Sequence, residues 1–111
     1  MGRADGRTSV TPTTGDVWLA DLGAETRRSV YVISDDRFHR LAERAVVAPV
    51  LESERAGRTA PWWIAHEDSV VAVERLTSIP VDRLLERHGV AHYTTVRAVQ
   101  RTIGWITGRD H

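Results

Sequence analysis

Cysteine is absent from the 111 residues, which excludes disulfide staples and thiolate metal sites and makes a reducing cytoplasm the expected setting. Lysine is absent too: all 15 basic side chains are arginine. Such uniformity reads as the coding bias of a GC-rich genome, so the number of arginines carries little functional weight by itself. Neither charge sign is in excess, since 15 acids balance the 15 arginines. No long-range field therefore draws the protein onto nucleic acid or an anionic membrane, and any RNA contact has to be a local patch. No apolar run approaches the ~18 residues of a membrane span. The opening MGRADGRTSVTPTTG has no hydrophobic signal core, so a soluble, cytoplasmic protein with no membrane partner is expected. A phosphate loop, a dinucleotide fingerprint, a zincin helix and a G-x-S-x-G elbow are all missing, and most enzyme classes lose their signature with them.

What is present is enough for one core. With 41% hydrophobic residues, the chain suits a single domain over residues 15–111. Residues 1–14 hold too little large apolar surface to offset their ordering entropy and read as a flexible tail. GDVWLADLG then alternates with period two, Val17 and Leu19 on one side and Trp18 and Ala20 on the other, which is a strand. SVYVIS (29–34) reads as a second strand, and RAVVAPVLES (44–53) as a third whose unbroken apolar run suggests burial on both faces. The charged DDRFHRLAER between them reads as a surface connection. APWWIAH and SVVAVERL are two further strands. In SIPVDRLLERHG, Ser78 and Pro80 resemble a helix start and Gly89 a helix stop, predicting a short helix around 81–88 with Leu84 and Leu85 inward. Val96, Val99, Ile103 and Ile106 recur at helical spacing and predict a C-terminal helix packed on the sheet, with Ala98, Thr102 and Trp105 widening the stripe. The expected fold is mainly β with C-terminal helices (α+β), its five strands in a row suggesting a curled sheet or small barrel.

The histidines at 39, 66, 88, 92 and 111 are scattered, and the one helical interval, His88 to His92, is interrupted by Gly89; no metal site is expected. RRSVYVISDDRFHR is denser in chemistry. Its arginines and aspartates suit charged punctuation around a β-branched strand, yet the order of the surrounding words says more. GDVWLADL, RSVYVISDD, AVVAPV, DSVVAVERLTSI, DRLLERHG and the final apolar helix, in series from residue 15 to about 107, resemble the MazF/PemK family of toxin endoribonucleases.

That resemblance implies a CcdB/PemK-like fold, a small SH3-like barrel or curled antiparallel sheet of five to seven strands, and a homodimer that cuts single-stranded RNA without a metal or other cofactor, inhibited by a cognate antitoxin. Cleavage through the 2′-OH needs a proton acceptor, a proton donor for the leaving 5′ oxygen, and positive charge on the phosphate. Arg28 matches the family's motif arginine, and its guanidinium fork suits the phosphate. The chain departs from the pattern in three places, the first being a connection before Arg28 that is shorter than the family's Gly-rich substrate loop. Arg28 is followed by Ser29 instead of proline, and PVLES puts Leu51 where the family's Pro-Val-Thr-Ser has its hydroxyl. Ser53 is the nearest hydroxyl and stands as the second catalytic candidate. Arg27, Asp36, Arg37, His39, Glu52 and Trp62 are the substrate-binding candidates: His39 because imidazole suits proton transfer, Glu52 because a carboxylate beside Arg28 could act as base, and Trp62 because aromatics stack on bases. Adjacent Trp62 and Trp63 face opposite ways on a strand, so one of them is expected at an RNA or protein interface. Two alternatives are a gyrase-binding toxin of the CcdB kind, suggested loosely by Trp105 and Gly108 near the C-terminus, and a family member that has lost catalysis.

Overall fold

The computed structural model of the chain describes residues 11–52 and 60–108. In order they form β1 (Asp16–Asp21), β2 (Arg27–Val32), α1 (Asp36–Ala42), β3 (Arg44–Glu52), β4 (Trp63–His66), β5 (Ser69–Ala72), β6 (Thr77–Pro80), β7 (Leu84–Val90) and α2 (Tyr93–Ile106), with single 3-10 turns at Val73–Arg75 and Val81–Arg83. The seven strands make one antiparallel sheet in the order β4-β5-β3-β2-β1-β7, with β6 alongside the start of β3. Among the described residues β4 and β7 do not join, so the sheet is open and not a closed barrel.

Strand β3 organises the rest. Its first residues pair with β6, its last three (Val50, Leu51, Glu52) with β5, and only Val47, Ala48 and Pro49 pair with β2. Proline has no N–H to extend a ladder, and β2 and β3 separate beyond the Val30↔Pro49 pair. The alternation read in β1 holds. Trp18 and Ala20 enter one core with Val30, Val32 and Leu84, while Val17 lies opposite Tyr31 on the other face. That second face carries Tyr31, Ala48, Val71 and Val73, and α2 covers it with Val99 while Val96 and Ile103 pack against the cluster. Each fully buried aliphatic of this kind contributes roughly 1.5–3 kcal/mol.

Gly15 joins the two layers. Its N–H donates to Val32 O at 2.9 Å and its carbonyl accepts from Ala91 N at 2.8 Å. Its φ of +93° and a Cβ position only 2.9 Å from Val96 Cγ2 leave no room for a side chain. Thr14 Oγ1 donates to Ile33 O and Thr13 N to Asp16 Oδ2, each at 3.1 Å. Residues 1–10 of the expected tail lie outside the described residues.

Two local readings are corrected. The connection 35–43 is not a plain loop: residues 36–42 are helical, with Asp35 as N-cap accepting from Phe38 N at 3.0 Å. An Asp36–Arg40 pair at 2.9 Å supports the exposed side. That backbone hydrogen bond, with Arg37 nearby, also holds the Asp35 carboxyl below its ordinary range. The expected helix around 81–88 is instead a 3-10 turn followed by β7. Pro80 closes β6 and does not open a helix, and pairing with β1 from Leu84 to Val90 overrides the local signals. Leu84 is buried, but Leu85 is 45% exposed.

Tyr31 makes a stability prediction. It is fully buried, and its hydroxyl has no hydrogen-bond partner among the described residues. Burial pushes the phenol from its ordinary 10.0 up to about 12, because the phenolate would lose its hydration. The native state thus holds the proton more tightly than the unfolded chain. The associated stability is full below pH 10.0 and is lost as pH rises through about 12. Tyr31→Phe is expected to match or exceed the original by up to ~1 kcal/mol at neutral pH, since the cost of an orphan hydroxyl disappears. It should also lose less stability in the alkaline window. Urea melts at neutral pH and midway through that window check both.

Candidate functional site: a cleft between two strands

The separation of β2 from β3 opens a cleft of about 290 Å³ lined by Arg27, Arg28 and Ser29 on one side and Val50, Leu51 and Glu52 on the other, with Ser69 at its edge. The register explains the mixture. Arg28 lies opposite Ala20 of β1 and Leu51 opposite Val70 of β5, whereas Ser29, Val50 and Glu52 share the Tyr31 face by alternation and pairing. Because the cleft runs between strands, it collects side chains from both faces. Arg28 is half-buried and Arg27 exposed, so a guanidinium there is partly shielded from water while keeping access to a ligand.

A second depression of about 200 Å³ continues from the first and shares Ser29, Val50 and Ser69 with it; His66, Glu67 and His88 complete its polar lining. His66 ends β4 opposite Ser69, and Ser69 lies opposite Glu52 on β3. Directly opposed residues project to one face, so His66, Ser69 and Glu52 form a row across three strands. His88 arrives by a different device: Gly89 stands opposite Val17 and Arg87 opposite Trp18, leaving His88 as the extra residue of a β-bulge. A bulge breaks strict alternation and re-aims a side chain.

Of the residues singled out in the sequence, Arg27, Arg28 and Glu52 therefore meet in one cleft, and Leu51 stands there with no proton to exchange. Ser53 lies outside the described residues. Asp36 and Arg37 are on α1, away from the cleft-lining set. His39 is on α1 as well but turned inward, only 3% exposed. Its Nδ1 is 2.9 Å from Pro12 O and its Nε2 2.7 Å from Ser34 Oγ. A carbonyl only accepts, so Nδ1 carries hydrogen, and in the uncharged ring Nε2 accepts from Ser34. Ser34 Oγ in turn accepts from Val46 N at 2.8 Å. His39 thus ties the chain before β1 and the β2–α1 junction to β3; it does not lie over the cleft.

Trp62 is occupied internally, stacked on Trp105 of α2 with centroids 6.1 Å apart and planes at 20°. Trp63 donates from Nε1 to Glu74 Oε1 at 2.9 Å and lies beneath the Arg75 guanidinium. Trp105 is half exposed and only edges the helix stripe. Sequence reasoning missed His66, His88, Ser29 and Ser69. The two-residue Glu67–Asp68 turn is a hairpin signal that fixes His66 opposite Ser69, whereas the bulge at His88 has no local signature. Among the described residues no three His, Asp or Glu side chains gather as a metal-binding group, and no helix is long and apolar enough to cross a membrane.

Comparison with known proteins speaks to the family and the fold. A family model described as a PemK-like, MazF-like toxin of type II toxin–antitoxin system matches residues 13–107. A MazE–MazF structure from Deinococcus radiodurans aligns with a TM-score of 0.78 at 16% identity, covering 90% of this chain and 98% of that one. An endoribonuclease in complex with its cognate antitoxin, from a mycobacterial species, gives 0.77 at 19% identity over 88% of this chain and 96% of that one. A mycobacterial endoribonuclease gives 0.75 at 18%, over 89% and 93%. At such identities the structural likeness speaks for the fold. Comparison with curated protein sequences gives no match. With the family model spanning the whole sheet and α2, the chain belongs to the PemK-like, MazF-like toxin family of type II toxin–antitoxin systems.

Proposed function

We propose that this toxin is a cytoplasmic, metal-independent endoribonuclease that cuts single-stranded RNA at short recognition sequences. It acts as a homodimer and is inhibited by a cognate antitoxin that covers the cleft. The observation that carries the reading is the meeting of Arg28 with Glu52, Ser29 and Ser69 in an open polar cleft between separated strands. Structural relatives described as endoribonucleases, one of them bound to its antitoxin, support it. A phosphodiester entering the cleft presents two non-bridging oxygens, and a guanidinium fork on a strand pairs both at once. As the 2′ oxygen adds to phosphorus, charge grows on those oxygens, and a pre-placed cation stabilises the pentacoordinate state more than the ground state. Arg28 supplies the charge that a metal ion supplies in other nucleases. It is a poor proton shuttle, because a guanidinium keeps its proton in proteins. The proton acceptor and donor must come from neighbouring groups, and Leu51 is not one of them.

The purified protein is expected to cut a long single-stranded RNA at a few discrete positions in excess EDTA, read by primer extension. Intact RNA, or cleavage strictly dependent on Mg²⁺, would overturn the reading.

A further inference from the structure

The groove contains Arg28 for the phosphate and lacks a hydroxyl at Leu51, so its proton chemistry has to be sought among the other side chains lining it. His66, brought in by the β4–β5 hairpin, and His88, brought in by the β7 bulge, line the same depression, and this opens into the Arg28 cleft through shared Ser29, Val50 and Ser69. Their placement differs from that of His39, whose two ring nitrogens are taken up by Pro12 and Ser34. His66 is half-buried in a row with Ser69 and Glu52. His88 has its Nε2 3.7 Å from Glu86 Oε1, a carboxylate that pairs with the ring when it carries a proton.

We propose that His66 and His88 are the proton-transfer pair of RNA cleavage in this groove, an inference that rests on the ribonuclease reading above. His66 takes the proton of the 2′-OH as O2′ attacks phosphorus. His88, in its protonated form, gives a proton to O5′ as the P–O5′ bond breaks and its electron pair leaves with that oxygen. One P–O bond forms and one breaks. The proton lost by O2′ rests on His66, the proton gained by O5′ comes from His88, and exchange with water resets both rings. The products are a 2′,3′-cyclic phosphate and a free 5′-hydroxyl, with no oxidant, reductant or metal consumed. Leu51 is then compatible with catalysis, because the proton transfer that a hydroxyl would assist is carried by the two imidazoles.

The test compares the full-length protein with His66→Asn and His88→Asn. Cleavage of single-stranded RNA is followed across the range in which imidazole titrates, and binding is followed with a non-cleavable 2′-deoxy strand. Among the described residues, Glu67 lines the histidine depression, Glu86 lies beside His88, and Glu52, Arg27 and Arg28 line the adjoining cleft; all remain in both variants. Each substitution is expected to lower kcat by ~10²-fold or more with strand binding unchanged. His66→Asn should remove the acid limb and His88→Asn the alkaline limb of a bell-shaped rate profile. If the unmodified protein cuts RNA and either variant cuts equally well, or slows with both limbs intact, the histidine pair is wrong and the ribonuclease reading stands. If the unmodified protein cuts no RNA, both fall.

Discussion

Arg28→Ala is expected to leave a folded protein that cuts RNA roughly 10³-fold more slowly, the scale seen when a pre-placed donor or guanidinium is removed from a charged transition state. The fold should survive because Arg28 lies at the open end of β2, half-exposed, past the last β2–β3 ladder pair. Substitutions at such positions change stability by about 1 kcal/mol or less. Arg28→Lys should recover only part of the rate: it restores charge without the two-pronged geometry. Matched thermal melts and single-turnover cleavage separate the two effects. A variant that melts normally and cuts at the original rate removes Arg28 from the chemistry.

The second large effect is on stability. His39→Ala is expected to cost about 2–4 kcal/mol, since it removes a buried ring together with its hydrogen bonds to Pro12 O and the Ser34 hydroxyl. The loss should spread, because Ser34 also receives the Val46 N–H and so joins β3 to the β2–α1 junction. Denaturant melts measure it. At a temperature where the variant is still folded, RNA cleavage should stay near the original rate, because His39 is buried on the inward face of α1 and absent from the groove lining. A variant that melts normally but loses cleavage would instead make His39 a participant in catalysis, as its sequence position first suggests.

The contrast between Arg28 and His39 shows which parts of the site the sequence carries. Strands whose two faces are both covered leave continuous β-branched runs, so β2 and β3 are legible, and Arg28 is placed by counting back along one of them. The amphipathic stripe of α2 is legible because a helix covered on one face repeats its apolar residues at helical spacing. Helix α1 is hidden because seven residues hold barely two turns and three of them, Asp36, Arg37 and Arg40, are charged. Its inward face is His39, which looks like surface chemistry until its partners are known. Strand β7 is hidden because Pro80 and Gly89 resemble helix punctuation, while the force that makes it a strand is pairing with β1, distant in the chain. His88 reaches the groove through an irregularity of that pairing, which no local pattern encodes.

The most direct measurement uses two versions of one single-stranded RNA that the protein cuts, one unmodified and one carrying a single 2′-deoxy sugar at the cut site, each incubated in excess EDTA with the purified toxin and with Arg28→Ala. The unmodified strand should be cut by the original protein to a 2′,3′-cyclic phosphate and a 5′-hydroxyl, and far more slowly by Arg28→Ala. The deoxy strand should bind and remain whole. Cleavage of the deoxy strand, or equal cleavage of the RNA by both proteins, would contradict an Arg28-centred cleft that works through the 2′-hydroxyl.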